Sequence, residues 1–268
     1  MLKDITLGQY FPGNSIAHKL DPRTKILLVM LYIIALFSAK GWMGYAVMAV
    51  TLAACVKVSH VGLRALVRGL KPLVFIIAFT GILNMFFTPD THYLWEWGIL
   101  RVSVKGIENA LFMVIRIMLL VMGTFLMTYT TSPIRLTDGL ESLLNPLKKI
   151  HVPVHELAMM MAIALRFIPT LIEETDKIMS AQKARGADFD SGNIFQKAKA
   201  LVPILVPLFI SAFRRADELA TAMECRCYHG GEGRTKLHVL KYQRRDYVAL
   251  AGGVVILALV VVLRRLGA

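Results

Sequence analysis

Five long stretches without a charged residue limit how this chain of 268 residues can fold. They lie at residues 26–39, 41–56, 72–89, 117–134 and 247–263. Each approaches the ~20 residues that cross the hydrocarbon core of a bilayer, once flanking Lys and Arg side chains reach outward. The apolar share of 56% exceeds that of ordinary soluble domains. We therefore predict an all-α membrane protein with about five transmembrane helices.

Basic residues are distributed unevenly around these stretches. Of the 31 Lys and Arg residues, 25 precede the first stretch, lie between the second and third, or lie between the fourth and fifth. Because basic residues concentrate on the cytoplasmic side, the N-terminus and residues 131–245 are predicted to be cytoplasmic and the C-terminus extracellular. Tyr93, Trp95 and Trp97 then lie in an outer loop as an interfacial anchor.

The net charge of +13 has a simple explanation in such a topology. Cytoplasmic basic residues near membrane spans promote insertion and attract anionic lipid headgroups. The partner predicted from charge is therefore the lipid bilayer, and no nucleic acid partner is predicted.

The region between the fourth and fifth stretches has mixed polarity and defines a domain of its own. We predict three domains: residues 1–130 with the N-terminal cytoplasmic segment and transmembrane helices 1–4, residues 131–244 as a cytoplasmic coupling-helix domain, and residues 245–268 as the C-terminal transmembrane helix.

Helical spacing of apolar residues predicts a cytoplasmic-side layer of three amphipathic coupling helices in the middle domain. These helices are expected near residues 134–149, 153–185 and 193–228. Pro169 should kink the second helix, and Gly186 should end it in a left-handed conformation.

The second and third of these helices each end at an arginine between small residues. The two segments are Ala184-Arg185-Gly186 and Cys225-Arg226-Cys227. An exposed arginine at a helix C-terminus interacts favourably with the helix dipole, by roughly 0.3–1 kcal/mol, and this alone could explain both residues. Alternatively, small neighbours let a partner close around the planar guanidinium, which suits a groove lined by carboxylates. The pattern alone leaves both interpretations open.

Motifs along nearly the whole chain resemble one membrane-protein family. They are GQY, PGNS and HKLDPRTK within residues 8–25, AQKARG at 181–186, RADELA at 215–220, MECRCY at 223–228 and GGEGRT at 230–235. Together, in this order, they resemble the T component of energy-coupling factor (ECF) transporters.

The resemblance implies a multi-pass scaffold subunit in the plasma membrane of a prokaryote. The segments Ala184-Arg185-Gly186 and Cys225-Arg226-Cys227 would dock two ABC ATPase subunits, which form a heterodimer. A substrate-binding S component, one of several interchangeable ones, would sit beside the scaffold. The complex would couple ATP hydrolysis to uptake of a vitamin or other micronutrient.

The second arginine segment departs from the family's usual Ala-Arg-Gly, because cysteines flank Arg226. Without the glycine, the helix is expected to end later, near His229 or Gly230. Cys225, Cys227 and His229 also resemble part of a metal site. However, thiols two residues apart on a helix face different directions, and no fourth ligand is evident. We predict no metal site and interpret the cysteines as small, weakly polar substitutes.

The chain carries no recognisable catalytic motif. It has no Gly-Lys-Ser/Thr phosphate-binding loop, so ATP is expected to bind the partner ATPases and no cofactor is predicted for this chain. No nucleophile–base pair is evident either, so an enzyme is not predicted.

Two further sets of residues are weaker candidates. Met159, Met160, Met161 and Met179 suit a surface that accepts several S components, or else an ordinary core. The fourth helix should begin near Gly106, which places Arg116 in the membrane. Arg116 could mark a substrate path in a self-contained secondary transporter, or pair with a carboxylate or the backbone inside the bundle.

Overall fold

The computed structural model describes residues 10–88, 93–97, 100–187, 189, 193–231 and 239–266. Its elements, in chain order, are α1 (Ile16–Lys19), α2 (Pro22–Ser38), α3 (Gly41–Ser59), α4 (Leu63–Leu70), α5 (Val74–Phe87), β1 (Tyr93–Trp97), β2 (Leu100–Ser103), α6 (Val104–Thr130), α7 (Pro133–Leu144), α8 (Val154–Ala184), α9 (Ile194–Glu224) and α10 (Arg244–Leu266). Short 3-10 turns at Lys71–Leu73 and Asn145–Ile150 precede α5 and follow α7. The predominantly helical architecture is confirmed.

The described residues divide into two compact units. The terminal unit lies within residues 8–142 and 240–268, and the central unit lies within residues 143–239. Most of α7 belongs to the terminal unit, where a guanidinium nitrogen of Arg23 donates to the Ser142 hydroxyl at 3.1 Å. The functional division at residues 131 and 245 stays a prediction.

The core of the terminal unit is built around α6, which packs against α2, α3, α4 and α5, while α10 packs against α2 and α3. Side chains from four of these helices are fully buried there, namely Leu36, Met48, Leu66 and Val260. The Tyr129 hydroxyl at the end of α6 donates to the Ala65 carbonyl at 3.4 Å, which connects α6 to α4.

Local signals explain where these helices begin. The Asp21 carboxylate accepts the Arg23 backbone N–H at the start of α2, and Pro22 occupies the first turn, where its missing donor costs nothing. The Ser103 hydroxyl accepts the Gly106 backbone N–H at 2.9 Å and caps α6 in the same way. The segment before α6, interpreted from sequence as an outer loop, contains an antiparallel hairpin of β1 and β2.

Five helical segments are long and apolar enough to cross a membrane. They are Gly41–Ser59, Leu63–Phe87, Val104–Thr130, Val154–Ala184 and Arg244–Leu266. The count of five is confirmed, but the set differs from the predicted one, because α8 qualifies and α2 does not. Only the residues after Lys25 in α2 are uncharged, and they span about 20 Å, less than the ~30 Å hydrocarbon core.

Candidate docking site at two helix ends

The first arginine tip is a regular glycine-terminated helix end. Gly186 has a left-handed φ of +88°, as the sequence predicts. Its N–H donates to the Lys183 carbonyl at 3.0 Å, and the Ala187 N–H donates to the Gln182 carbonyl at 3.0 Å. This pair of hydrogen bonds is the Schellman motif, which satisfies carbonyls that the helix leaves open. Arg185 is therefore the last residue before the chain turns away from α8.

The second tip has the same backbone geometry without a glycine. Cys227 adopts a left-handed φ of +56°, its N–H donates to the Glu224 carbonyl at 2.8 Å, and the Tyr228 N–H donates to the Met223 carbonyl at 3.1 Å. The expectation that α9 continues to His229 or Gly230 is wrong, because Cys227 occupies the position that Gly186 has in the first tip. Arg185 and Arg226 are thus equivalent residues of two equivalent helix ends.

Both tips are open to solvent within the described structure. Ala184, Arg185 and Gly186 are exposed, and so are Cys225, Arg226 and Cys227. Neither guanidinium has a hydrogen-bond or ion-pair partner among the described residues. Each tip therefore presents an unneutralised, planar cation beside small side chains that leave room for a partner.

The cysteines of the second tip do not gather other metal ligands around them. In the described part of the chain, no three His, Cys, Asp or Glu side chains come together as a metal site would require. His229 instead donates from Nδ1 to the Cys227 carbonyl at 2.9 Å. The position of Cys227 gives it a backbone role as the left-handed residue of the helix end.

The two helices contact each other at a point equally distant from both tips. An Arg215 guanidinium nitrogen lies 2.6 Å from a carboxylate oxygen of Glu174, which joins α9 to α8. Glu174 lies eleven residues before Arg185, and Arg215 lies eleven residues before Arg226. Each tip is therefore about 16 Å from the contact along its helix.

Chain connectivity limits how the two helices can cross. The contact lies about 15 Å before the end of α8 and about 31 Å after the start of α9. Parallel helices would have to bridge about 46 Å, whereas the ten Cα steps from Ala184 to Ile194 reach at most about 35 Å. The helices therefore do not run parallel.

A second contact points to an approximately antiparallel crossing. Gly231, five residues after Arg226, lies directly against the ring of His155 at the start of α8. The end of α9 is consequently directed toward the beginning of α8. With arms of about 16 Å, the two arginines lie on opposite sides of the crossing, roughly 30 Å apart.

The candidate methionines contribute only part of an exposed apolar surface. Met160 and Met161 are exposed, whereas Met159 and Met179 are half-buried.

A larger patch, not assigned to a partner from sequence, lies on α9. We call it the α9 apolar face; its members are all at least half exposed, and they are Val202, Leu205, Val206, Phe209, Ile210 and Phe213. Their i, i+3, i+4 spacing is visible in the sequence, but their exposure is not.

Arg116 on α6 is held inside the terminal unit by aromatic side chains. Its Nε donates to the Tyr45 hydroxyl at 2.8 Å, and its guanidinium carbon lies 5.8 Å from the Phe37 ring centroid and 5.7 Å from that of Tyr45. These contacts resemble cation–π interactions, which stabilise a desolvated cation. The partner is a phenol, neither the carboxylate nor the backbone expected from sequence.

Comparisons with known proteins identify the family. Residues 13–237 match the family model described as cobalt transport protein, CbiQ. The chain is 52% identical over 263 residues to the energy-coupling factor transporter transmembrane protein EcfT of Ruminiclostridium cellulolyticum, covering 98% of each chain. For proteins of that name in Acidaminococcus fermentans and Bacillus subtilis, the identities are 56% over 265 residues and 46% over 264 residues. These alignments cover 98% of this chain and 97% and 100% of the relatives. The chain belongs to the family of transmembrane T components of energy-coupling factor transporters.

Proposed function

We propose that this T component docks two ABC ATPase subunits, one at Arg185 and one at Arg226, and couples ATP hydrolysis to uptake of a vitamin or other micronutrient through an S component. The observation that carries the proposal is the equivalence of the two helix ends. Two equivalent backbone motifs present the same exposed cation on opposite sides of the crossing of one helix pair.

The separation of the tips supports two docking events, one for each ATPase. At roughly 30 Å apart, the arginines are too distant for one groove, yet a pair of ATPase subunits side by side could engage both. Arginine suits this role because its planar fork binds a carboxylate through two parallel hydrogen bonds. ATP is bound by these partners, and this chain serves as a non-catalytic subunit.

The S component is proposed to bind the exposed apolar surface of the central unit. The exposed apolar residues form two groups on opposite sides of the Glu174–Arg215 contact: Met160 and Met161 on α8, and the α9 apolar face. Contiguous exposed apolar patches mark protein or membrane contacts, because their burial removes apolar area from water. Flexible methionine side chains add the ability to accept several S components in turn.

Arginine truncation at both tips tests ATPase docking. Truncating one partner of a buried interfacial charge pair typically costs about 2–5 kcal/mol, so each of Arg185→Ala and Arg226→Ala should weaken its docking site at least about 30-fold. The double variant, co-expressed with the ATPases and an S component, should reach the membrane but fail to co-purify with the ATPases or support ATP-driven uptake.

The matched control is Arg166→Ala with Arg214→Ala. These arginines are also exposed, one on α8 and one on α9, but they lie away from the helix ends. The control should retain both the ATPases and uptake. Full recovery of the complex in the Arg185→Ala, Arg226→Ala variant would refute docking at the tips.

A self-contained secondary transporter that uses Arg116 is the alternative function. The family assignment weighs against it, and the Tyr45 hydroxyl already occupies the Nε–H of Arg116. The two functions differ in a flux measurement on the chain reconstituted alone. Substrate-dependent flux without ATPases would favour the alternative, and its absence, with flux restored by adding ATPases and an S component, favours the scaffold.

A further inference from the structure

An apolar crevice opens in the terminal unit between α2, α3, α6 and α10. Its volume is about 630 Å³, within the range of about 300–1,000 Å³ typical of sites for one small organic molecule. Six of the apolar side chains that line it are Leu28, Tyr32, Leu52, Leu126, Val248 and Ile256. Three of these helices, α3, α6 and α10, are long and apolar enough to cross a membrane, so the molecules that reach the crevice include lipids.

The charged side chains that line the crevice lie at one end of it. Lys25 lies at the start of α2, Arg244 and Arg245 lie at the start of α10, and Thr130 lies at the end of α6. From Arg244 to Ile256, α10 follows the crevice for about 18 Å, slightly more than half of the ~30 Å hydrocarbon core. The crevice therefore has a cationic mouth and an apolar body with the depth of about one leaflet.

The cations at the mouth retain capacity for an anion. Arg244 and Arg245 are exposed and have no hydrogen-bond or ion-pair partner among the described residues. Lys25 is buried and donates to the Thr130 carbonyl at 2.8 Å and the Thr131 hydroxyl at 2.9 Å. Because an ammonium carries three donors, one remains for a ligand.

The carboxylates near the mouth are already engaged by other groups. Asp21 pairs with Arg23, with 3.0 Å between the charged atoms. Asp246 is buried and accepts the backbone N–H groups of Asp21 and Gln243, both at 2.8 Å. Asp246 keeps its charge, but Lys25, Arg244 and Arg245 outnumber it, so the mouth has a positive excess that complements a phosphate.

We propose that this crevice binds one anionic phospholipid. The phosphate is held at the mouth by Arg244, Arg245 and the remaining Lys25 donor, and an acyl chain extends along the apolar walls toward Ile256. The bound lipid has an anionic headgroup, because basic pockets between transmembrane helices recognise such headgroups. An apolar crevice alone would accept any acyl chain.

Charge removal at the mouth tests headgroup recognition. The full-length protein is purified into nanodiscs of equimolar dioleoylphosphatidylglycerol and dioleoylphosphatidylcholine, and retained lipid is identified by native mass spectrometry. Each arginine near an anionic headgroup contributes about fivefold, so Arg244→Gln with Arg245→Gln should reduce the preference for phosphatidylglycerol about 30-fold. Arg264→Gln with Arg265→Gln, at the opposite end of α10, is the control and should leave the preference unchanged.

Filling the crevice tests the acyl-chain site without altering any charge. Gly252 lines the crevice, and a Cβ added there meets no atom within 4 Å, so the side chain of Gly252→Leu begins in open space. It should abolish retention of phosphatidylglycerol. Ala251→Leu is the control, because its exposed neighbouring position is not part of the lining.

Four outcomes would overturn the proposal. Two concern the lipid preference: equal retention of both lipids by the unaltered protein, and an unchanged preference in Arg244→Gln with Arg245→Gln. The other two concern Gly252→Leu: unchanged phosphatidylglycerol retention, and displacement of a co-purifying polypeptide found in place of lipid.

Discussion

Replacing Cys227 with glycine is expected to stabilise the end of α9. Cys227 is held at a φ of +56°, where the Cβ of an L-residue is crowded by the following carbonyl at a cost of roughly 1–2 kcal/mol. Glycine has no such crowding but loses more conformational entropy on folding, by roughly 0.5–1 kcal/mol. The difference favours the glycine variant by about 0.5–1 kcal/mol.

Amide hydrogen exchange at the helix end measures this difference directly. The Tyr228 N–H, which donates to the Met223 carbonyl at 3.1 Å, exchanges when the motif opens. A gain of about 0.5–1 kcal/mol should slow its exchange by about two- to fivefold. Gly186→Ala on α8 is the reciprocal change and should accelerate exchange of the Ala187 N–H, because alanine meets the same crowding at a φ of +88°.

Cys225→Ala is the control, because it removes a thiol from the same helix end without changing a strained backbone conformation. Cys225 has a φ of −60°, which suits any L-residue, so hydrogen exchange of the Tyr228 N–H should change little. Unchanged or faster exchange in Cys227→Gly would refute the argument that Cys227 substitutes for a glycine. Loss of bound metal from Cys227→Gly would point instead to a ligand role for the thiol.

Three further changes are checked by thermal unfolding in detergent. Because the Glu174–Arg215 pair is partly exposed, Arg215→Glu should destabilise the chain by only about 1 kcal/mol. Adding Glu174→Arg reverses the pair and should restore most of the lost stability. No recovery in this double variant would contradict the contact. Tyr45→Phe should cost about 1–2 kcal/mol, since it removes the acceptor of Arg116, and an unchanged melting temperature would show that this bond contributes nothing. Gly106→Ala should cost about 1–3 kcal/mol, because its Cβ would lie 2.7 Å from a backbone oxygen of α5; wild-type stability would refute this close packing.

Local sequence signals predicted the extents of the central helices well. Ranges of 153–185 and 193–228 were expected, and the structure has Val154–Ala184 and Ile194–Glu224. Asn193 caps the start of α9, and Gly186 ends α8, so both boundaries follow from residues next to them. The end of α9 was placed too late, because cysteine rarely adopts a left-handed conformation and a sequence does not show the hydrogen bonds that hold it there.

Contacts between distant parts of the chain could not be predicted in this way. Arg116 and Tyr45 are 71 residues apart, and Glu174 and Arg215 are 41 residues apart. A single sequence gives no pairing signal over such separations. The α9 apolar face was missed for a related reason: the sequence shows its apolar spacing, but only packing against α8 reveals which side remains uncovered.

The equal spacing of both arginines from the Glu174–Arg215 contact has a mechanical consequence. If either helix turns by about 10° about that contact, its tip sweeps about 3 Å, since each arm is about 16 Å long. The displacement would be the same at both ends, because the two arms have equal lengths. Equal and opposite forces at the two tips would therefore turn the two helices by equal angles and exert no net force on their contact.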